Sequence, residues 1–114
     1  MSSKYSALLH MLCHQYFIFP KTGITAGQVS AWMKCSKPTA IEMLNKLIID
    51  NMITRVEEVY HGNAKIFYHF PTKRTWDLWQ DGAFLDAYKQ HLDYYVKPYQ
   101  QMLAIFNEEE FEVK

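Results

Sequence analysis

The sequence predicts a mainly α-helical fold with one small β-hairpin, and three observations carry that expectation. Apolar residues recur at spacings of three and four over most of the chain, the signature of helices with one buried face. The pattern changes once, where β-branched and aromatic residues fill Ile53 to Tyr60 and Lys65 to Phe70 around the turn residues His61-Gly62-Asn63-Ala64. Between the first helical stretch and that hairpin, two Ser/Thr-capped helical segments are separated by only a tight turn.

In chain order, Tyr5, Leu8, Leu9, Leu12 and Tyr16 define an amphipathic helix from about Ser3 to Phe17, ended by Pro20-Lys21-Thr22-Gly23. Thr25 is a strong N-cap, with Gln28 as its reciprocal capping-box partner and Ile24 and Val29 as the hydrophobic staple, so a second helix starts at Ala26. Its small or apolar positions Val29, Ser30 and Met33 share a face, and Lys34-Cys35 then breaks it. Ser36 is the next N-cap and Pro38 fits the first turn of a helix beginning at Lys37. Ala40, Leu44, Leu47 and Ile48 lay its apolar stripe toward the preceding helix, while Lys37, Glu42, Asn45 and Lys46 occupy the opposite face. Asn51 stands where the chain leaves the helix in a left-handed conformation. After the hairpin the helical period resumes from Thr75 through Trp76, Trp79, Leu85, Tyr88, Leu92, Tyr95, Tyr99, Met102 and Phe106. Pro98 kinks or splits that stretch, and Glu108 to Lys114 is an acidic tail.

At 114 residues, 49% hydrophobic and 16% aromatic, the chain has one domain's worth of core. The net charge of zero conceals a split: residues 1–74 hold nine Lys or Arg against four Asp or Glu (+5), and residues 75–114 hold three against eight (−5). A basic working part joined to an acidic part with another task is the expected organisation. Cys13 and Cys35 are too few for a disulfide framework and point to a reducing compartment. The apolar start is interrupted by His10, His14 and Gln15, which fits neither a signal peptide nor a membrane span, so a cytoplasmic location is expected. No glycine-rich phosphate loop, nucleophile elbow or pair of carboxylates at a strand end stands in the chain, and no enzyme is expected. His10, Cys13 and His14 lie on one helix face at i, i+3 and i+4, but no fourth ligand follows at a recognisable spacing, since His61, His69 and His91 are scattered. No metal or other cofactor is therefore expected.

The order helix, helix, turn, helix, hairpin, together with the run ITAGQVSAWMKCSKPTAIEMLNKLIIDNMITR, resembles the MarR-like winged helix-turn-helix regulators. In that family a Ser-basic-Pro-Thr start opens the recognition helix, and Ser36-Lys37-Pro38-Thr39 stands there; Asn51, Ile53, Thr54 and Arg55 match the entry to the wing, and Phe67 to Lys73 its second strand and exit. The chain departs from the pattern with Glu42 on the recognition face, Trp32 on a face given to charge, Lys34 where Gly is common in the turn, and a wing tip with one permanent positive charge.

The resemblance implies a winged helix-turn-helix DNA-binding part over residues 1–74 and C-terminal dimerisation helices over 75–114. It implies sequence-specific binding of double-stranded DNA by a small transcriptional regulator, with Lys37 to Ile48 in the major groove and the wing on the backbone. Thr39, Glu42 and Asn45 are then the candidates for base edges, and Ser36, Lys37, Lys46, Arg55, Lys65, Lys73 and Arg74 for phosphates, with Pro38, His61 and Asn63 completing the surface. A homodimer is expected through Leu85, Tyr88, Leu92, Tyr95, Tyr99, Met102 and Phe106, a stripe longer than one small body covers. Two other readings stay open: an adaptor binding protein through the Trp32 and Glu42 face, and a ligand sensor using the aromatic C-terminal helices.

Overall fold

Residues 2–60, 62 and 64–91 are described by the computed structural model. Within them the chain forms α1 (Ser3–Ile18), α2 (Ala26–Met33), α3 (Lys37–Ile49), β1 (Ile53–Val59), β2 (Lys65–Pro71), α4 (Lys73–Gln80) and α5 (Leu85–Gln90). Side-chain caps set four of the five helix starts. Ser2 accepts from the Tyr5 amide, Ser36 from the Thr39 amide, and Thr72 from the Thr75 amide. Thr25 and Gln28 close the reciprocal capping box expected of them.

The caps work only because each helix has a face to bury. Leu8, Leu9 and Leu12 of α1, Val29 and Met33 of α2, and Ala40, Leu44 and Leu47 of α3 meet in one core, each at most 2% exposed. Met43 joins the α3 stripe at 3%. Each large side chain in such a position contributes about 1.5–3 kcal/mol from leaving water. Asn51 follows α3 at φ 60°, left-handed as expected, and Lys34, standing where Gly is common, ends α2 left-handed at φ 51°. Ser30 has a task beyond fitting a face, since its hydroxyl donates to the Cys35 carbonyl at 2.6 Å and ties the turn shut.

β1 and β2 pair antiparallel from Ile53 opposite Pro71 to Val59 opposite Lys65. Ile24 adds a two-way backbone bridge to His69, with both amide-to-carbonyl distances 2.9 Å. Thr75, fully buried, donates to the Met52 carbonyl at 2.6 Å and fastens α4 to the segment leaving α3.

Two expectations from the sequence are corrected. Trp32 is 8% exposed, because with Val29 and Met33 it makes the i, i+3, i+4 stripe that α2 turns to the core; it offers no surface to an adaptor's partner. The helical pattern after the hairpin begins at Lys73 rather than Thr75, since Thr72 caps it, and it is broken after Gln80, where Gly82 takes φ 81° before α5 starts. α4 and α5 both pack on α1, and Phe84 and Tyr88 enter the same core. Leu92, Tyr95, Tyr99, Met102, Phe106, and the proline at position 98, lie outside the described residues. No helix of the described residues is long and apolar enough to cross a membrane.

Candidate nucleic-acid interface

The 3.6-residue period that buries Ala40, Met43, Leu44 and Leu47 leaves Pro38, Glu42, Asn45 and Ile49 on the outer ridge of α3. Lys37 and Ile41 flank that ridge on the hairpin side. There the side of α3, the start of α2 and the hairpin enclose a groove of about 580 Å³. Lys37, Ile41 and Asn45 line it from α3, Thr25 and Gly27 from the N-cap and first turn of α2, and Arg55, Lys65 and Phe67 from the hairpin. Four of the residues expected at a DNA surface, Lys37, Asn45, Arg55 and Lys65, therefore converge on one groove.

The other cations lie elsewhere. Lys46 is on the far flank of α3 with its ammonium 5.1 Å from the Tyr5 ring centroid, and it shares a second depression, of about 570 Å³, with Asp50 and Arg74. Lys73 stands beside Trp76 at the start of α4 and pairs with Asp77 at 2.9 Å. Lys65 pairs with Glu57 at 3.2 Å. Both pairs are exposed, so each is worth little against a competing phosphate. Ser36, Pro38 and Glu42 are exposed, while Thr39 is half-buried and its hydroxyl oxygen accepts from Ser36 at 2.9 Å. His61 and Asn63 lie outside the described residues.

Inside the groove runs a line of hydrogen bonds that the sequence did not disclose. His69 is 1% exposed, and its Nδ1 lies 2.7 Å from the Ile24 carbonyl oxygen. Arg55 donates from Nε to His69 Nε2 at 3.0 Å and from Nη2 to Asn45 Oδ1 at 2.7 Å. A carbonyl only accepts and a guanidinium only donates, so the imidazole must be neutral with its proton on Nδ1. Its pKa is lowered from the ordinary histidine value, first by burial and also by the Arg55 charge, although the Ile24 bond opposes the shift. The missed signal was the hairpin register: Arg55 and His69 are direct cross-strand partners, recognisable only once the turn length is known.

The residues weighed as metal ligands sit behind this surface. Burial lowers the pKa of His10 to about 4, with the neighbouring His14 adding to the effect, and raises that of Cys13 to about 12. A thiol held protonated in this way is a packing group and no nucleophile. His10 lies against Tyr88, ring centroids 4.0 Å apart, so Tyr88 of the expected dimer stripe is engaged within its own chain, whereas Leu85 is 39% exposed. Among the described residues, no three His, Cys, Asp or Glu side chains are grouped to hold a metal ion.

Comparison with solved structures places the fold. The chain is similar to MepR of S. aureus bound to ethidium bromide, with a TM-score of 0.57 at 16% identity over 100% of this chain and 79% of that one. It is similar also to a MarR protein from Peptoclostridium difficile, with a TM-score of 0.57 at 16% identity over 100% of this chain and 75% of that one. The transcriptional regulator SlyA gives a TM-score of 0.55 at 17% identity over 94% of this chain and 75% of that one. No protein-family model matches the chain, and no curated protein does. The fold is that of the MarR-like winged-helix regulators, as the sequence resemblance implied.

Proposed function

We propose that the chain is a small transcriptional regulator that binds double-stranded DNA sequence-specifically, with α3 in the major groove and the hairpin along the backbone. One observation carries this most of the way: the outer ridge of α3 is exposed and has cations on both flanks, Lys37, Arg55 and Lys65 on one side, Lys46 and Arg74 on the other. A helix lying in a groove roughly 12 Å wide meets a phosphate strand on each side, and this arrangement supplies a partner to each. The match to MarR-type folds supports the same reading, with the function carried over as part of the proposal.

Glu42 at the centre of the ridge acts as a selector. A carboxylate there is unfavourable near phosphates and is tolerated only where a cytosine amino group donates to it. Homodimerisation through Leu85 and the apolar stripe continuing beyond residue 91 is part of the proposal, since two-fold pairing sets two recognition helices about one DNA turn, roughly 34 Å, apart. A cytoplasmic location follows from that role.

Titration of a random-sequence duplex across salt concentrations tests the reading. Binding should weaken steeply with salt, and Lys37→Ala should lower the slope by about one unit by removing one phosphate contact. A salt-independent affinity, or a slope that Lys37→Ala leaves unchanged, would overturn it.

A further inference from the structure

Arg55 is held differently from Lys65, which shares its groove. Lys65 reaches Glu57, so its charge is answered by a carboxylate. Among the described residues, no carboxylate lies within ion-pair distance of the Arg55 guanidinium, and the groups that hold it are neutral. Its Nε donates to His69 Nε2 at 3.0 Å, its Nη2 donates to Asn45 Oδ1 at 2.7 Å, and the Phe67 ring centroid lies 5.4 Å from its central carbon. Two acceptors from different elements and one ring face thus fix the planar fork and leave its charge whole. Of the five N–H donors of a guanidinium, these bonds use two, so both on Nη1 and one on Nη2 remain for an anion.

His69 can hold Arg55 because it is itself held. Its backbone pairs both ways with Ile24 at 2.9 Å, and its ring donates from Nδ1 to the Ile24 carbonyl at 2.7 Å, which leaves Nε2 as the acceptor turned to Arg55. A long cationic side chain that is free in solvent loses rotamer freedom when it meets a phosphate; one already fixed by folding does not, and binds more tightly for it. We propose that His69 is a positioning residue for DNA binding, which holds Arg55 ready for a backbone phosphate; this assignment rests on the duplex-binding function proposed above. If His69 only pinned the hairpin to the segment at Ile24, its effect on DNA would not depend on Arg55.

Two amide substitutions separate these roles, since asparagine places its amide at the reach of Nδ1 and glutamine at the reach of Nε2. His69→Asn keeps a donor for the Ile24 carbonyl and removes the acceptor for Arg55, whereas His69→Gln keeps that acceptor. The full-length chain is titrated with a random-sequence duplex. His69→Asn should bind roughly tenfold more weakly, His69→Gln within about twofold of wild type, and His69→Asn should cost nothing further once Arg55 is alanine. Arg55→Lys, which keeps the charge but has no Nε–H for His69, should also lose roughly tenfold while keeping the salt slope of the wild type. It serves in place of His69→Asn if that variant does not fold. In the free chain, NMR should show the Arg55 Nε–H protected from solvent exchange, a readout that needs no DNA. A wild type that binds no duplex removes the DNA-binding function and this assignment with it. Wild-type affinity in His69→Asn or Arg55→Lys, equal losses in the asparagine and glutamine variants, a His69→Asn loss that persists in full beside Arg55→Ala, or an unprotected Arg55 Nε–H would overturn the assignment while leaving duplex binding in place.

Discussion

Gly23→Ala should destabilise the protein, against the usual sign for such a change. Replacing glycine by alanine at a compatible position stabilises by about 0.4–1 kcal/mol, because the unfolded chain loses freedom. At Gly23 a Cβ would stand 2.6 Å from Tyr68 Cβ and 2.8 and 2.9 Å from the Phe70 ring. Tyr68 Cβ cannot swing away as a side-chain tip could, since it moves only with the β2 backbone. Relief takes a separation of the two segments by about 1 Å, next to the Ile24–His69 bridge that joins them. Overpacking of this kind costs about 1–3 kcal/mol, and the upper end applies because one of the two partners is effectively backbone. With about 2.1 cal/mol/K of unfolding entropy per residue, 2–3 kcal/mol lowers the melting temperature by roughly 8–12 °C. Thermal melts followed by circular dichroism check it, with Gly27→Ala as the matched control: its Cβ meets nothing nearer than Thr25 Oγ1 at 3.8 Å, and it should stabilise by about 0.5 kcal/mol. A Gly23→Ala protein that melts at or above the wild type would refute the close approach of the hairpin to this loop.

Other perturbations address the turn, the acid response and the selector. Lys34 holds φ 51°, a conformation costly to any residue with a Cβ, so Lys34→Gly should raise stability by about 1 kcal/mol in urea unfolding, and a loss would show that the lysine side chain is needed there. His10 has a folded pKa of about 4, below the ordinary 6.5, so its contribution is complete above pH 6.5 and is lost as pH falls from 6.5 through about 4. Solvent screening around the half-buried ring reduces that loss to about 1–2 kcal/mol, and His10→Leu should flatten the fall in urea midpoint between pH 7 and pH 4; an identical fall in the variant contradicts the assignment. Glu42→Gln should bind non-cognate duplex more tightly by roughly tenfold in competition titrations, and unchanged binding would take Glu42 off the DNA-facing surface.

Much of the fold was legible because the helix signals are local. Thr25 with Gln28, and Ser36 with Pro38, mark helix starts within a few residues, and the left-handed Lys34 and Asn51 mark the ends. What escaped depends on residues far apart in sequence. Trp32 was assigned to the wrong face because an eight-residue helix spans barely two turns, too few to fix its rotation from sequence. Thr72 and Thr75 start α4 where they do partly through bonds to Asn51 and Met52, 20 to 23 residues earlier. In the candidate site, the outward placement of Lys37, Glu42 and Asn45 followed from the helical period. The division of the cations between two flanks did not, because it depends on how the hairpin and α4 stand against α3, and neither did the pairing of Lys65 with Glu57, which depends on the register of the hairpin.

The central claim, that α3 and the hairpin form a duplex-binding surface, is tested most directly by titrating the ¹⁵N-labelled full chain with a duplex of about 20 bp, two turns long to admit both recognition helices. Amide resonances of residues 36–46 and of the hairpin residues 55–66 should shift with added DNA, while those of residues 17–19, on the exposed aromatic end of α1, stay in place. Shifts confined to the α1 end and α4, or no shifts at all, would contradict it.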